Sequence, residues 1–242
     1  MAHFSDRLSS KLDKFSALSD RDREILRGLP AIERRVDSGE IILREGDNPH
    51  NSIVLLSGVL FRFKIIADGQ RQIISLHFAG DMPDLQTLFL EEMDHNLCAA
   101  GPAVIASVPH KQLEALFVEH PQIGMLLWRD TLIDSAIFRE WIANTGRRQA
   151  YARTAHLLCE IAVRGRAAGI GEREIPLPLT QQHFADALGL SIVHVNRVLQ
   201  DLRAQNLVRI GNGRFEVLDW NGLSEAGDFD PRYLHLREKT TF

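Results

Sequence analysis

The twenty-four residues from Thr180 to Arg203 leave this chain few ways to fold. Thr180 is placed to cap a helix whose apolar positions are Phe184, Ala185 and Leu188. Gly189 supplies the left-handed conformation of a tight turn, and Leu190 plugs the core beneath it. Ser191 caps a second helix that turns Val195, Val198, Leu199 and Leu202 inward. Two short helices across a glycine turn read as a helix-turn-helix. Val208, Ile210, Gly211-Asn212-Gly213, Phe215 and Val217 then read as a β-hairpin, which makes the unit a winged helix-turn-helix. A plain pair of packed helices would explain the helices alone, but not the wing or the charge around them.

That charge is uneven. The whole chain of 242 residues carries 28 basic and 32 acidic side chains, a net of −4. Between Gly146 and Phe215 there are ten Arg, no Lys and five acids, a net of +5 that leaves −9 for the remainder. A basic segment set against an acidic one suggests a polyanionic partner, and double-stranded DNA fits a helix-turn-helix.

The outward face of the second helix is then the candidate reading surface, with Ser191 at its start and Ile192, Val193, His194, Asn196, Arg197 and Gln200 projecting from it. Arg197 can donate two hydrogen bonds to guanine, and Asn196 can pair with adenine in the same bidentate way. Thr180, Gln181, Gln182 and Arg203 suit phosphate contacts. Ile192 and Val193 are apolar where a solvated face is expected. Contact with thymine methyls and a packing patch against the wing are both open explanations. His183 and His194 lack Cys or His partners at ligand spacing, so no metal site is expected.

Upstream, residues 1–35 read as helical, with Leu8, Leu12, Phe15 and Leu18 at helical spacing and Ser19 capping a second helix. From Arg35 to Pro109 short apolar runs alternate with turn residues: Glu40–Leu43, Ser52–Leu56, Val59–Ile66, Gln72–Phe78 and Val104–Val108. Gly39, Gly46, Gly58, Gly69 and Gly80 separate them, and short strands at such intervals imply a β-roll of jelly-roll type. Lys111–Val118 is a short helix, and Pro121 opens a longer one running to Asn144. That long helix is apolar over too wide an arc for one contact face. A second copy of the chain is expected to cover the rest, through Trp128, Ile133, Ile137 and Trp141, the other reading being a central helix in a monomer core. Gly146 is expected as the hinge into the basic segment.

The expected class is α+β: a sensor β-roll over 1–120, a dimerisation helix over 121–145, a winged helix-turn-helix over 146–225 and a tail over 226–242. No membrane span is expected, because the longest stretch free of charged residues, His95–His110, is short and polar. The N-terminus lacks the apolar stretch of a secretory signal, so a cytoplasmic protein is expected. Two cysteines, Cys98 and Cys159, cannot form a disulfide framework, and their role is open. No catalytic triad, metal-ligand set or phosphate loop is present, so an enzyme is not expected and no cofactor is called for.

This order of parts resembles the Crp/Fnr family of bacterial transcription regulators, from about Phe15 to Asp219. Ser38-Gly39-Glu40-Ile41-Ile42, Glu45-Gly46-Asp47, Val54-Leu55-Leu56-Ser57-Gly58 and Ala79-Gly80-Asp81 are similar to the β-roll landmarks of the family. Leu179-Thr180-Gln181-Gln182 and Ser191–Arg197 are similar to its helix-turn-helix. The resemblance implies a homodimer that binds a palindromic promoter site and contacts RNA polymerase. Cyclic-AMP-binding members hold the cyclic phosphate with a Gly-Glu-Leu segment and a following Arg. Here the first falls on Asp84-Leu85-Gln86, and no Arg or Lys lies between Gly80 and Ala106. A buried phosphate without a cation is costly, so cyclic nucleotide binding is not expected. No Cys precedes Cys98, which excludes the iron–sulfur centre of oxygen-sensing members. His77 and His95 are available as the haem ligands other members use, though a lone His reads first as structural. The effector is therefore unknown. Where members that read a TGTGA-type half-site carry Arg and Glu, this chain has Ile192 and Val193, so the target sequence is expected to differ. The competing reading is a ligand sensor that acts through protein contacts rather than DNA.

Overall fold

A computed structural model describes residues 4–171 and 174–237. Glu172 and Arg173, both counted in the basic segment, and residues 238–242 of the tail lie outside the described residues. Helix α1 (Phe4–Asp13) buries Phe4, Leu8 and Leu12. Helix α2 (Asp20–Arg27) starts at Ser19, which exchanges hydrogen bonds with Asp22 in a capping box. Ile32–Val36 is strand β1, not part of a helix as the 1–35 reading expected. Its Glu33, Arg34 and Arg35 are exposed because β1 pairs on one side only, with a later strand, and charges suit a sheet edge.

The roll continues through β2 (Ile41–Leu43), β3 (Asn51–Ser57), β4 (Leu60–Ile65), β5 (Arg71–His77), β6 (Asn96–Ala99) and β7 (Ala103–Pro109). Two antiparallel sheets form, β1-β7-β3 and β2-β6-β4-β5. Gly58 turns the chain between β3 and β4 with φ +95°, and a Cβ there would sit 2.8 Å from that of Ala103. Both the conformation and the close approach require glycine.

Helix α3 (His110–Glu119) leads to α4 (Pro121–Arg147), which has Pro121 at its start. The helix runs through Gly146 and ends at Arg148, whose extended backbone (φ −72°, ψ 142°) makes the turn. The expected glycine hinge is thus helical, and the bend lies two residues later. Beyond it come α5 (Ala150–Ala167), β8 (Glu174–Pro176), α6 (Gln181–Leu188), α7 (Ile192–Ala204), β9 (Val208–Gly211), β10 (Arg214–Val217) and α8 (Trp220–Ala226). The wing is a three-stranded sheet, β8-β10-β9.

Helix α4 corrects the expected dimer contacts. Ile133, Ile137 and Trp141 are buried within the single chain, and the Trp141 indole N–H donates to Glu160 on α5. The arc is wide because α4 packs on its own β-roll and its own C-terminal segments. Periodicity gives the width of such a face, not which neighbour covers which part. Of the four residues expected at a partner, Trp128 alone is exposed. It lies on a second stripe with Met125, Leu132 and Ile142, all exposed, that also carries Ser135 and Arg139. The spacing of that stripe alternates three and four residues, the pattern of a coiled-coil seam.

Buried charges join the parts. Asp81, after β5, accepts from Lys11 of α1 and from Arg164 of α5 at 3.1 Å. Lys11 also reaches Asp130 of α4 at 3.2 Å, and Arg164 reaches Glu160 at 3.0 Å. Glu160 further accepts from the Tyr233 hydroxyl at 2.9 Å. Burial opposes the Asp81 charge, but Lys11 and Arg164 outweigh it and hold this carboxyl well below the ordinary carboxylate range.

Two neighbouring groups titrate in opposite senses. Burial pushes the Asp84 carboxyl up to about 7, and burial together with Arg62 pushes His77 down to about 4. Between its unfolded pKa of ~3.9 and about 7, Asp84 holds a proton only when folded, so its contribution to stability is lost as pH rises. From about 4 to an unfolded value of ~6.5, His77 holds a proton only when unfolded, so its contribution grows with pH. Asp84→Asn keeps an oxygen for the Ile53 N–H, which Asp84 accepts at 2.7 Å, and removes the carboxyl titration. In denaturant titrations the variant should gain on the parent as pH rises from 4 to 7, by on the order of 2–4 kcal/mol, and level off above. A stability difference constant from pH 4 to 8 would refute this assignment.

Candidate nucleic-acid interface

The helix-turn-helix forms as its residues dictate. The Thr180 hydroxyl accepts the His183 N–H at 3.2 Å, and the His183 ring accepts the Thr180 N–H at 3.1 Å. Gly189 ends α6 with φ +62°, and its N–H donates to Ala185. Ser191 caps α7 by accepting the His194 N–H at 3.2 Å. Val195, Val198, Leu199 and Leu202 are buried beneath α7.

The face of α7 turned away from that core carries Ile192, Val193, His194, Arg197 and Gln200, all exposed. Among the described residues Arg197 has no hydrogen-bond or ionic partner, so its guanidinium is free to meet a base edge. Asn196 is half-buried and donates to Gln181 at 3.1 Å. Sequence reasoning gave these two residues separate tasks, base and phosphate, whereas the structure joins them. In this arrangement Gln181 holds the Asn196 amide. Arg203 is exposed, and its guanidinium donates to the Ile210 carbonyl at 2.9 and 3.2 Å, which fixes the wing to α7. Gln182 donates to Asp186 at 2.5 Å from an exposed position. Thr180 is exposed, though its hydroxyl already serves the cap.

The helix-turn-helix docks on the β-roll through residues that sequence reasoning missed. Arg71 of β5 pairs with Asp186 of α6 at 2.7 Å, and its guanidinium also lies over the Phe61 and Phe63 rings. Gln72 donates to the Ala187 carbonyl at 3.4 Å, and the Phe61 ring meets His183 at 5.1 Å between centroids. A cleft of about 780 Å³ remains between the β4–β5 turn, with Ile66, Gly69 and Gln70, and the start of α7, with Ser191 and Ile192. Arg71 and Asp186 lie 115 residues apart, and no local pattern announces such a pair.

Residues 33–120 match the cyclic nucleotide-binding domain, and residues 152–226 match the Crp-like helix-turn-helix domain. A "Probable transcriptional activator" of Rhizobium leguminosarum bv. viciae is 30% identical over 188 residues, 78% of each chain. The chain belongs to the Crp/Fnr family of transcription regulators. The transcriptional activator protein FnrL of Cereibacter sphaeroides is 28% identical over 218 residues, 86% of each chain. In the solved structure of FixK2 from Bradyrhizobium japonicum the same fold recurs, with a TM-score of 0.75, 23% identity and coverage of 82% of this chain and 98% of that one.

In this Crp/Fnr chain the β-roll interior is occupied by its own side chains. No cation lies between Gly80 and Ala106, but β4 delivers one: Arg62 is buried, donates to the Pro83 carbonyl and pairs with Asp134 of α4 at 2.5 Å. Beside it, with His77, Gln86 and Thr131, is a cavity of about 30 Å³, room for a water or two. Asp84 is buried and accepts the Ile53 N–H. His77 bonds to Ser75 at 2.8 Å, and His95 to Asp94 at 2.6 Å. Among the described residues no three His, Cys, Asp or Glu side chains gather as a metal ion would need. Cys98 and Cys159 are buried free thiols, and burial pushes both upward, away from the reactive thiolate. Among the described residues no helix is long and apolar enough to cross a membrane.

Proposed function

We propose that this protein is a homodimeric, DNA-binding regulator of transcription that works in the cytoplasm and acts by binding rather than by catalysis. The observation that carries the reading is the outward face of α7, where Arg197 stands unpaired on a capped helix within an Arg-rich domain. A recognition helix of this kind lies in the major groove with its N-terminal residues on base edges. Dimerisation runs along the stripe Met125, Trp128, Leu132, Ser135, Arg139 and Ile142, because a row of exposed apolar side chains at coiled-coil spacing needs a partner. A two-fold dimer presents two recognition helices and so reads an inverted repeat. RNA polymerase is the further partner such a promoter-bound dimer would address, and the β-roll is where a signal would enter. Binding of duplex DNA measured against salt tests the reading. Six to ten phosphate contacts imply a loss of about 10³–10⁵ in affinity between ~50 and ~200 mM salt. Absence of saturable binding at low salt would overturn it.

Three further outcomes follow from the geometry. Arg197→Ala should lose discrimination at one symmetric base pair in each half-site, by about 1–3 kcal/mol, because a bidentate Arg–guanine pair carries that much. Gln182→Ala should weaken all sequences about evenly, since backbone contacts hold no sequence information. Competition binding against single-base variants separates the two, and an unchanged base preference in Arg197→Ala would contradict the assignment. Cyclic AMP should give no binding heat in calorimetry, because the space beside Arg62 is too small for a nucleotide. Micromolar uptake would overturn that expectation.

A further inference from the structure

The first turn of α7 is built against the interests of the fold. Ile192 and Val193 are β-branched, which disfavours helix, and they occupy the turn where acidic side chains would stabilise the helix dipole. Packing against the wing, which could have explained them, does not occur at Val193: it is 80% exposed, the most exposed large apolar side chain among the described residues. Ile192 is 44% exposed and turns toward the β4–β5 turn across the cleft. Their neighbours on the same face are His194, Arg197 and Gln200, all polar. An apolar group presented alone on a polar reading surface calls for an apolar group on the ligand. The major groove offers one such group, the C5 methyl of thymine.

We infer that Val193, flanked by Ile192, reads a thymine methyl in each half-site. The inference rests on the DNA-binding reading above and narrows it to a base and a position. Val193 lies one helical turn before Arg197 on the same face, a displacement of about 6 Å along the helix axis. Base pairs rise ~3.4 Å, so the thymine falls within about two steps of the guanine that Arg197 contacts. The chemistry recognised is the methylated edge of a pyrimidine, which 5-methylcytosine also presents.

The test starts from duplexes selected by the full-length protein out of a random library. Each thymine within two base pairs of the Arg197-dependent guanine is replaced by uracil, which removes the methyl alone. Loss of one buried methyl should weaken binding about four-fold for one half-site and about fifteen-fold for both. Val193→Ala should bind thymine and uracil duplexes alike, while Ile192→Ala should keep most of the difference. At the same position 5-methylcytosine should outbind cytosine by a similar factor in the parent protein, whereas Val193→Ala should bind the two alike. The inference is overturned if the parent protein is indifferent to uracil at every such position. It is equally overturned if the uracil penalty persists undiminished in Val193→Ala. Failure to retain any duplex from the library would instead overturn the DNA-binding reading, and this inference with it.

Discussion

Trp128→Lys combined with Leu132→Lys should convert the protein from a dimer into a monomer of 27.3 kDa in light scattering. Both side chains are about half exposed on α4, so the single chain loses little by their replacement. Across a two-fold seam each lysine would face its own copy, adding like-charge repulsion to the lost apolar contact. DNA affinity should fall with the dimer. Linking two half-site contacts raises the overall affinity by about 10²–10⁴ over one, and the monomer forfeits that gain. A double variant that stays dimeric would show that the stripe is not the interface.

Asp81→Ala should be the most destabilising single substitution considered for this chain. It removes the carboxylate that serves Lys11 and Arg164 together, both largely buried. Stranding charges in this way costs about 3–5 kcal/mol when one partner of a buried pair is deleted. Lys11 keeps Asp130 and Arg164 keeps Glu160, so the loss should fall in that range rather than beyond it. Adding Lys11→Met to Asp81→Ala should deepen the loss rather than recover it, because Lys11 still pairs with Asp130 and its removal strands that carboxylate as well. Urea unfolding of the single and double variants measures both effects. A loss below about 1 kcal/mol for Asp81→Ala would mean that the network contributes no net stability.

The parts of the fold written in local patterns were legible in the sequence. Thr180, Gly189 and Ser191 cap and turn the helix-turn-helix through bonds within a few residues of themselves, and Gly211-Asn212-Gly213 turns the wing in the same way. What stayed hidden depends on distant partners. Strand β1 carries Glu33-Arg34-Arg35 because it is an edge, and an edge strand need not alternate. Arg62 sits between Phe61 and Phe63 and would face solvent in a one-sided sheet. It is buried because β4 is covered on both faces. The outward stripe of α4, at 125, 128, 132, 135, 139 and 142, was present in the sequence, but apolar residues facing the chain's own core masked it. The reading face of α7 was legible as a set of outward positions. Which of those side chains are already engaged, Asn196 by Gln181 and Arg203 by the wing, depended on contacts between elements.

In the proposed dimer two copies of α7 read one duplex. Footprinting the full-length protein on a selected duplex tests it most directly. Two symmetric protected half-sites are expected on one face of the DNA, with centres about 34 Å, or one helical turn, apart. A single unpaired half-site, or protection on opposite faces, would contradict it.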